Sequence, residues 1–102
     1  MHPLLESHRE EVAELCRRRG VIRLELFGSA ARDDFDESRS DLDFLVKFDS
    51  DPSRPALGSY FGFKSDLESL FHRPVDLVDA EGIRNPYVRA SINRDRKLIY
   101  AA

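Results

Sequence analysis

From Asp41 to Phe48 apolar and polar residues alternate: Leu42, Phe44, Val46 and Phe48 share one side of an extended strand, while Asp41, Asp43 and Lys47 share the other. This is the pattern of a strand with one buried face, and it aims two carboxylates the same way. Alternate residues on a strand lie about 6.5 to 7 Å apart at Cα, so the two charges repel and their burial without a counter-ion is expensive. A cation between them removes that penalty. Mg²⁺ fits the donors, because it takes hard oxygen ligands and binds through one or two carboxylates together with substrate phosphates. Taken alone, the Asp-x-Asp pair has a plainer explanation, in which Asp41 ends a loop and Asp43 faces water.

The preceding segment bears on that choice. Ile22, Leu24 and Leu26 alternate with Arg23 and Glu25 across Val21 to Phe27, a second strand with one buried face, and it ends in Gly28-Ser29 before a short helical turn through Ala31-Arg32. Gly28 permits close backbone approach, the unpaired amides and dipole of a helix start attract anions, and Ser29 can add a hydroxyl donor. By itself Gly28-Ser29 is equally a plain turn with Ser29 as N-cap. Consecutive strands carrying both features reinforce each other, since a metal and the triphosphate it neutralises must be neighbours. Asp76 is a third acidic candidate, set in the apolar run Val75, Leu77, Val78. An apolar strand of this kind is expected to be interior, and an interior Asp needs a partner. If its strand lies beside that of Asp43, Asp76 completes a three-carboxylate site, as general base or second-metal ligand. The alternative is a salt bridge to an arginine such as Arg73.

The remaining pattern predicts a helix over residues 4–19, with Leu5, Val12, Leu15 and Cys16 on one face and Gly20 as its stop. Residues 33–40 and 49–55 read as loops. A long helix follows over residues 57–71, with Tyr60, Phe63, Leu67 and Leu70 at spacings of three and four. Pro74 ends it, residues 75–79 form a short strand, Asn85-Pro86 opens a last helix to about residue 95, and residues 97–100 add a final strand. The fold expected is α+β: a small mixed sheet, helices on one face, the acidic cluster on the other. With 102 residues, one domain spanning 1–102 can bury a modest core without disulfides.

Composition excludes several classes. No apolar stretch approaches the ~18 residues needed to span a bilayer, and the N-terminus shows no secretory signal. Lone Cys16 cannot form an internal disulfide and fits a reducing cytoplasm. A net charge of −3 argues against a dedicated nucleic-acid surface. Arg17, Arg18 and Arg19 sit where cations favour the negative end of a helix dipole. Arg84, Arg89, Arg94, Arg96 and Lys97 read mainly as solvated surface, with docking of an acidic partner as the alternative. EF-hand, P-loop and histidine-metal patterns are absent.

Leu26-Phe27-Gly28-Ser29-Ala30-Ala31-Arg32, Ser40-Asp41-Leu42-Asp43-Phe44-Leu45-Val46 and Pro74-Val75-Asp76-Leu77-Val78 together resemble the minimal nucleotidyltransferase family of the DNA polymerase beta superfamily, and the resemblance covers nearly the whole chain. It implies a polymerase beta-like fold, a Gly28-Ser29 turn for nucleotide phosphates, Asp41 and Asp43 as Mg²⁺ ligands, and Asp76 completing the site. Arg32 matches the motif, either as phosphate contact or as structural partner of a carboxylate. Two departures stand out: Asp33 replaces the usual Gly, and the spacer from Ala30 to Ser40 is one residue longer. The resemblance further implies transfer of AMP from ATP to a tyrosine of a HEPN-type ribonuclease toxin, making the chain its antitoxin. Two rivals remain: an inactive relative that neutralises its partner by binding alone, and a small-molecule nucleotidyltransferase, whose usual extra substrate domain has no counterpart here.

Overall fold

The computed structural model describes residues 3–28, 31, 41–49, 56–80 and 96–102. Ser29, Arg32, the expected loops at 33–40 and 50–55, and the expected last helix at 85–95 lie outside the described residues. Within them run α1 (Pro3–Ser7), α2 (Arg9–Arg19), β1 (Val21–Phe27), β2 (Leu42–Phe48), α3 (Ala56–Phe71), β3 (Val75–Asp79) and β4 (Lys97–Ala101). No helix among the described residues is long and apolar enough to cross a membrane.

The helix expected as one piece over residues 4–19 is two. His8 leaves helical geometry at φ −113°, ψ 13°, and its ring packs edge-on against Phe71 with centroids 5.4 Å apart. Ser7 and His8 gain little from helix continuation, so a tertiary aromatic contact decides the break. At the other end Gly20 adopts the left-handed conformation (φ 74°) and donates its N–H to the Cys16 carbonyl, the helix stop that the sequence signals.

The strands form one mixed sheet in the order β3-β2-β1-β4. β1 pairs antiparallel with both β2 and β4, and β2 pairs parallel with β3 after the α3 crossover. One face is the core. Leu24, Leu26, Leu42, Phe44, Val46, Val75, Leu77 and Ile99 meet Leu5, Val12 and Cys16 from α1 and α2 and Phe63, Leu67 and Phe71 from α3. Phe44 and Phe71 stack at 6.3 Å, and Phe48 meets Phe63 edge-on at 6.2 Å. Each fully buried large side chain contributes roughly 1.5–3 kcal/mol. Burial also pushes the Cys16 thiol up to about 12, which makes it a packing residue with no thiolate character at neutral pH.

Arg19 does more than favour the α2 dipole. Its Nε and Nη2 donate to the Asp66 carboxylate at 2.8 and 3.3 Å, which ties α2 to α3 and raises the guanidinium pKa. The guanidinium crosses α3 at Gly62, where a Cβ would stand 2.6 Å from Nη1 and 2.7 Å from Cζ. This contact explains a glycine within a helix.

The expectation of an interior third strand is not met: β3 is an edge strand among the described strands, and Asp76 is exposed. Val75 and Leu77 point into the core, while α3 covers the strand's outer backbone. The Tyr60 hydroxyl donates to the Leu77 carbonyl, and the Val75 N–H donates to Glu68 Oε2 at 3.1 Å. At the opposite edge Arg9 Nη2 donates to the Leu98 carbonyl at 3.4 Å. Capping the outward groups in this way blunts edges that would otherwise pair with other strands.

Candidate active site

β1 ends where β2 begins, because the two strands are antiparallel neighbours. Phe27 stands opposite Asp43, and the next residue is Gly28. Gly28 has φ +75°, a conformation that side chains resist, and a Cβ built there would lie 3.1 Å from Asp43 Cγ and 3.3 Å from its Cβ. Glycine is therefore required twice over, for conformation and for space. Its carbonyl accepts the Ala31 N–H at 3.1 Å, closing the turn toward a helix. The Asp43 carboxylate rests on the backbone at this turn.

Parallel pairing then sets Asp43 opposite Asp76. Neighbouring strands lie about 4.7–4.9 Å apart, so two like charges stand side by side on the face turned away from α2 and α3. Asp41, exposed, precedes β2 and shares that side by alternation, and the adjacent Leu42 N–H is pinned to the Pro74 carbonyl at 3.2 Å. Gly28, Asp41, Asp43 and Asp76 are thus gathered at one end of the open face. Ser29 and Arg32 lie outside the described residues.

The donor set fits a hard divalent cation by its chemistry: carboxylate oxygens on adjacent strands, with like-charge repulsion that a cation relieves. Among the described residues no three Asp, Glu, His or Cys side chains are grouped so that they could hold a metal ion; Asp43 and Asp76 stand side by side, and the three-carboxylate group expected with Asp41 is not assembled. A separate groove of about 390 Å³ between α2 and α3, lined by Glu11, Leu15, Arg18, Asp66 and Leu70 among others, lies on the helical side, away from the carboxylates.

The nucleotidyltransferase domain profile matches residues 6–99. The chain belongs to the nucleotidyltransferase domain family. Its enzyme class, nucleotidyl transfer, follows from that membership. One relative in sequence is a Methanocaldococcus jannaschii protein named "putative protein adenylyltransferase", 34% identical over 97 residues that span 95% of this chain and 90% of the relative. A solved "putative minimal nucleotidyltransferase" superposes with a TM-score of 0.74 at 38% identity, covering 91% of this chain and 90% of the other. The complex of a tri-AMPylated Shewanella oneidensis HEPN toxin with its MNT antitoxin shares the fold, with a TM-score of 0.65 at 18% identity over 96% of this chain and 73% of the other.

In this nucleotidyltransferase domain the open face also holds a group that sequence reading passed over. Glu25 alternates with buried leucines and reads as solvent-facing, yet it is only 5% exposed. Arg23 Nε pairs with its Oε1 at 2.9 Å and Arg96 Nε with its Oε2 at 3.1 Å. Arg96, taken from sequence as mainly solvated surface, is therefore an ion-pair partner. The available signal was Arg23, two residues away on the same strand face; Arg96, 71 positions downstream, gave none.

Proposed function

We propose that this chain transfers AMP from ATP, with Mg²⁺, to a hydroxyl of a partner protein, a tyrosine of a HEPN-type ribonuclease toxin, and so acts as its antitoxin. The observation that carries the reading is the contact of Gly28 with Asp43 beside Asp76, which puts the glycine turn and paired carboxylates in one place. The adenylyltransferase name of the relatives and the AMPylated toxin of the structural neighbour support this donor and acceptor.

In this reading Asp41 and Asp43 hold Mg²⁺, which when bound neutralises the polyphosphate and makes the α-phosphorus more electrophilic. Gly28 and Ser29 seat the phosphates through backbone and hydroxyl donors, with Arg32 as a further phosphate contact or a structural partner of a carboxylate. Asp76 orients the acceptor hydroxyl and takes its proton, or ligates a second ion. The acceptor oxygen bonds to the α-phosphorus, the bond to the β-phosphate oxygen breaks, and pyrophosphate leaves. Positioning and charge neutralisation supply most of the acceleration.

The test incubates the purified chain with a HEPN-type protein encoded beside it, ATP labelled at the α-phosphate, and Mg²⁺. One or more AMP additions on a partner tyrosine, abolished by Asp41→Asn, are expected. Stoichiometric inhibition of the partner without ATP, undiminished in the variant, would show neutralisation by binding alone and overturn the reading.

A further inference from the structure

Across the open face the residues fall in rows. Asp76, Asp43 and Phe27 are register neighbours on β3, β2 and β1, and continuing the pairing of Leu26 with Lys97 sets Arg96 level with Phe27 on the β4 side. One end of the row therefore carries two carboxylates and the other a guanidinium, with Arg96 about two strand spacings, roughly 10 Å at Cα, from Asp43. Gly28 leaves β1 between them.

Glu25 sits one step along β1 on the same face and is the sole buried charged residue among the described residues. One arginine would neutralise it. Two are present, both through Nε, so the cluster carries an excess positive charge and neither arginine's Nη donors have another acceptor among the described residues. Both arginine side chains are nearly half exposed, so water offsets the excess charge, and an anion arriving on the face that the cluster shares with the candidate site can take that water's place. A polyphosphate laid along the row would be repelled by Asp43 and Asp76 at every point not screened by a cation, and attracted at the Arg96 end. With the α-phosphorus set at the carboxylates by the transfer reading, the guanidinium at the other end of the row draws the terminal phosphates toward β4.

We infer that Arg96 contacts the terminal phosphates of the nucleotide and the departing pyrophosphate, and that Glu25 is the positioning residue that holds Arg96 for this contact. The inference rests on the nucleotidyl-transfer reading. It adds a specificity element for the triphosphate that lies outside the Gly-Ser and Asp motifs.

The test uses the full chain, with tripolyphosphate and pyrophosphate as probes in calorimetry and pyrophosphate as product inhibitor of transfer. R96A is expected to weaken tripolyphosphate binding and pyrophosphate inhibition at least tenfold and to raise KM for ATP more than it lowers kcat, with thermal unfolding measured alongside. R96K, which keeps the stem and charge but loses the fork, should show a smaller loss of at least threefold, and serves as the reading if R96A does not fold. E25Q should lower the same affinities while retaining Arg96. Unchanged phosphate affinity in a folded R96A or R96K would overturn the inference and leave Arg96 an anchor of β4. Loss of partner affinity in place of phosphate affinity would overturn it in favour of an acidic partner surface. A wild-type chain that binds tripolyphosphate with Arg96 dependence but transfers no AMP would sink the transfer reading alone.

Discussion

Gly28 and Asp43, 15 positions apart in sequence, pack against each other, and the contact leaves no room for a side chain at 28: a Cβ there would come within 3.1 Å of Asp43 Cγ. The Gly28 turn and the Asp43 carboxylate, to which the proposed function gives phosphate and metal, are thereby packed against each other.

Gly28→Ala tests that unit. The alanine meets both a positive φ of 75° and the Asp43 side chain, so a stability loss of about 1–3 kcal/mol is expected in urea unfolding. Displacement of the carboxylate should lower AMP transfer by about 100-fold. Wild-type rates in the variant would show that the contact is not needed.

Asp76→Asn separates catalysis from stability. The exposed carboxylate faces Asp43 across the strand pair, and removing one of two opposed like charges should leave stability unchanged or raise it by roughly 0.2–1 kcal/mol. Transfer should fall about 100-fold or more, and the rise in melting temperature produced by Mg²⁺ with ATP should shrink. A variant as active as the parent would remove Asp76 from the site.

Gly62→Ala would ordinarily gain about 1 kcal/mol in a helix interior. Here the new methyl displaces the Arg19 guanidinium from its bond to Asp66, so little or no gain is expected in the parent. In an Arg19→Ala background the same change should stabilise by about 1 kcal/mol. Equal effects in both backgrounds would mean that Arg19 does not rest on Gly62.

Cys16 sets an alkaline limit. Its thiol is raised from an ordinary 9.0 to about 12 by burial, so between those values the unfolded chain releases a proton that the folded chain retains. The stabilisation is complete below pH 9 and declines as pH rises, by roughly 1.4 kcal/mol per unit. Urea midpoints of the parent should fall across this window more steeply than those of Cys16→Ala, whose cavity lowers stability at every pH. Parallel slopes would show that Cys16 does not titrate with unfolding.

Much of the architecture was legible because it follows local rules. Alternation at Val21 to Phe27 and Leu42 to Phe48 fixes which side chains face the core, Gly20 stops α2, and the spacing of Phe63 and Leu67 gives α3 its buried stripe. The motif residues Gly28, Asp41, Asp43 and Asp76 carried the family likeness. The break at His8 was not legible, because its cause is the Phe71 ring 63 positions away. Nor was the edge position of β3, since an apolar strand can be lined by core on one side and capped along its edge by Tyr60 and Glu68.

What the sequence by itself determined is the set of faces: period-two alternation commits each side chain of a strand to one side, whatever the strand's neighbours. Which residues on that open face stand next to one another was decided only by tertiary structure. Parallel pairing after the α3 crossover brings Asp76 beside Asp43, and the return of β4 alongside β1 brings Arg96 onto Glu25. The physical reason is that strand order and register are set by how the apolar faces of the sheet and helices pack together. No residue at the site encodes them locally.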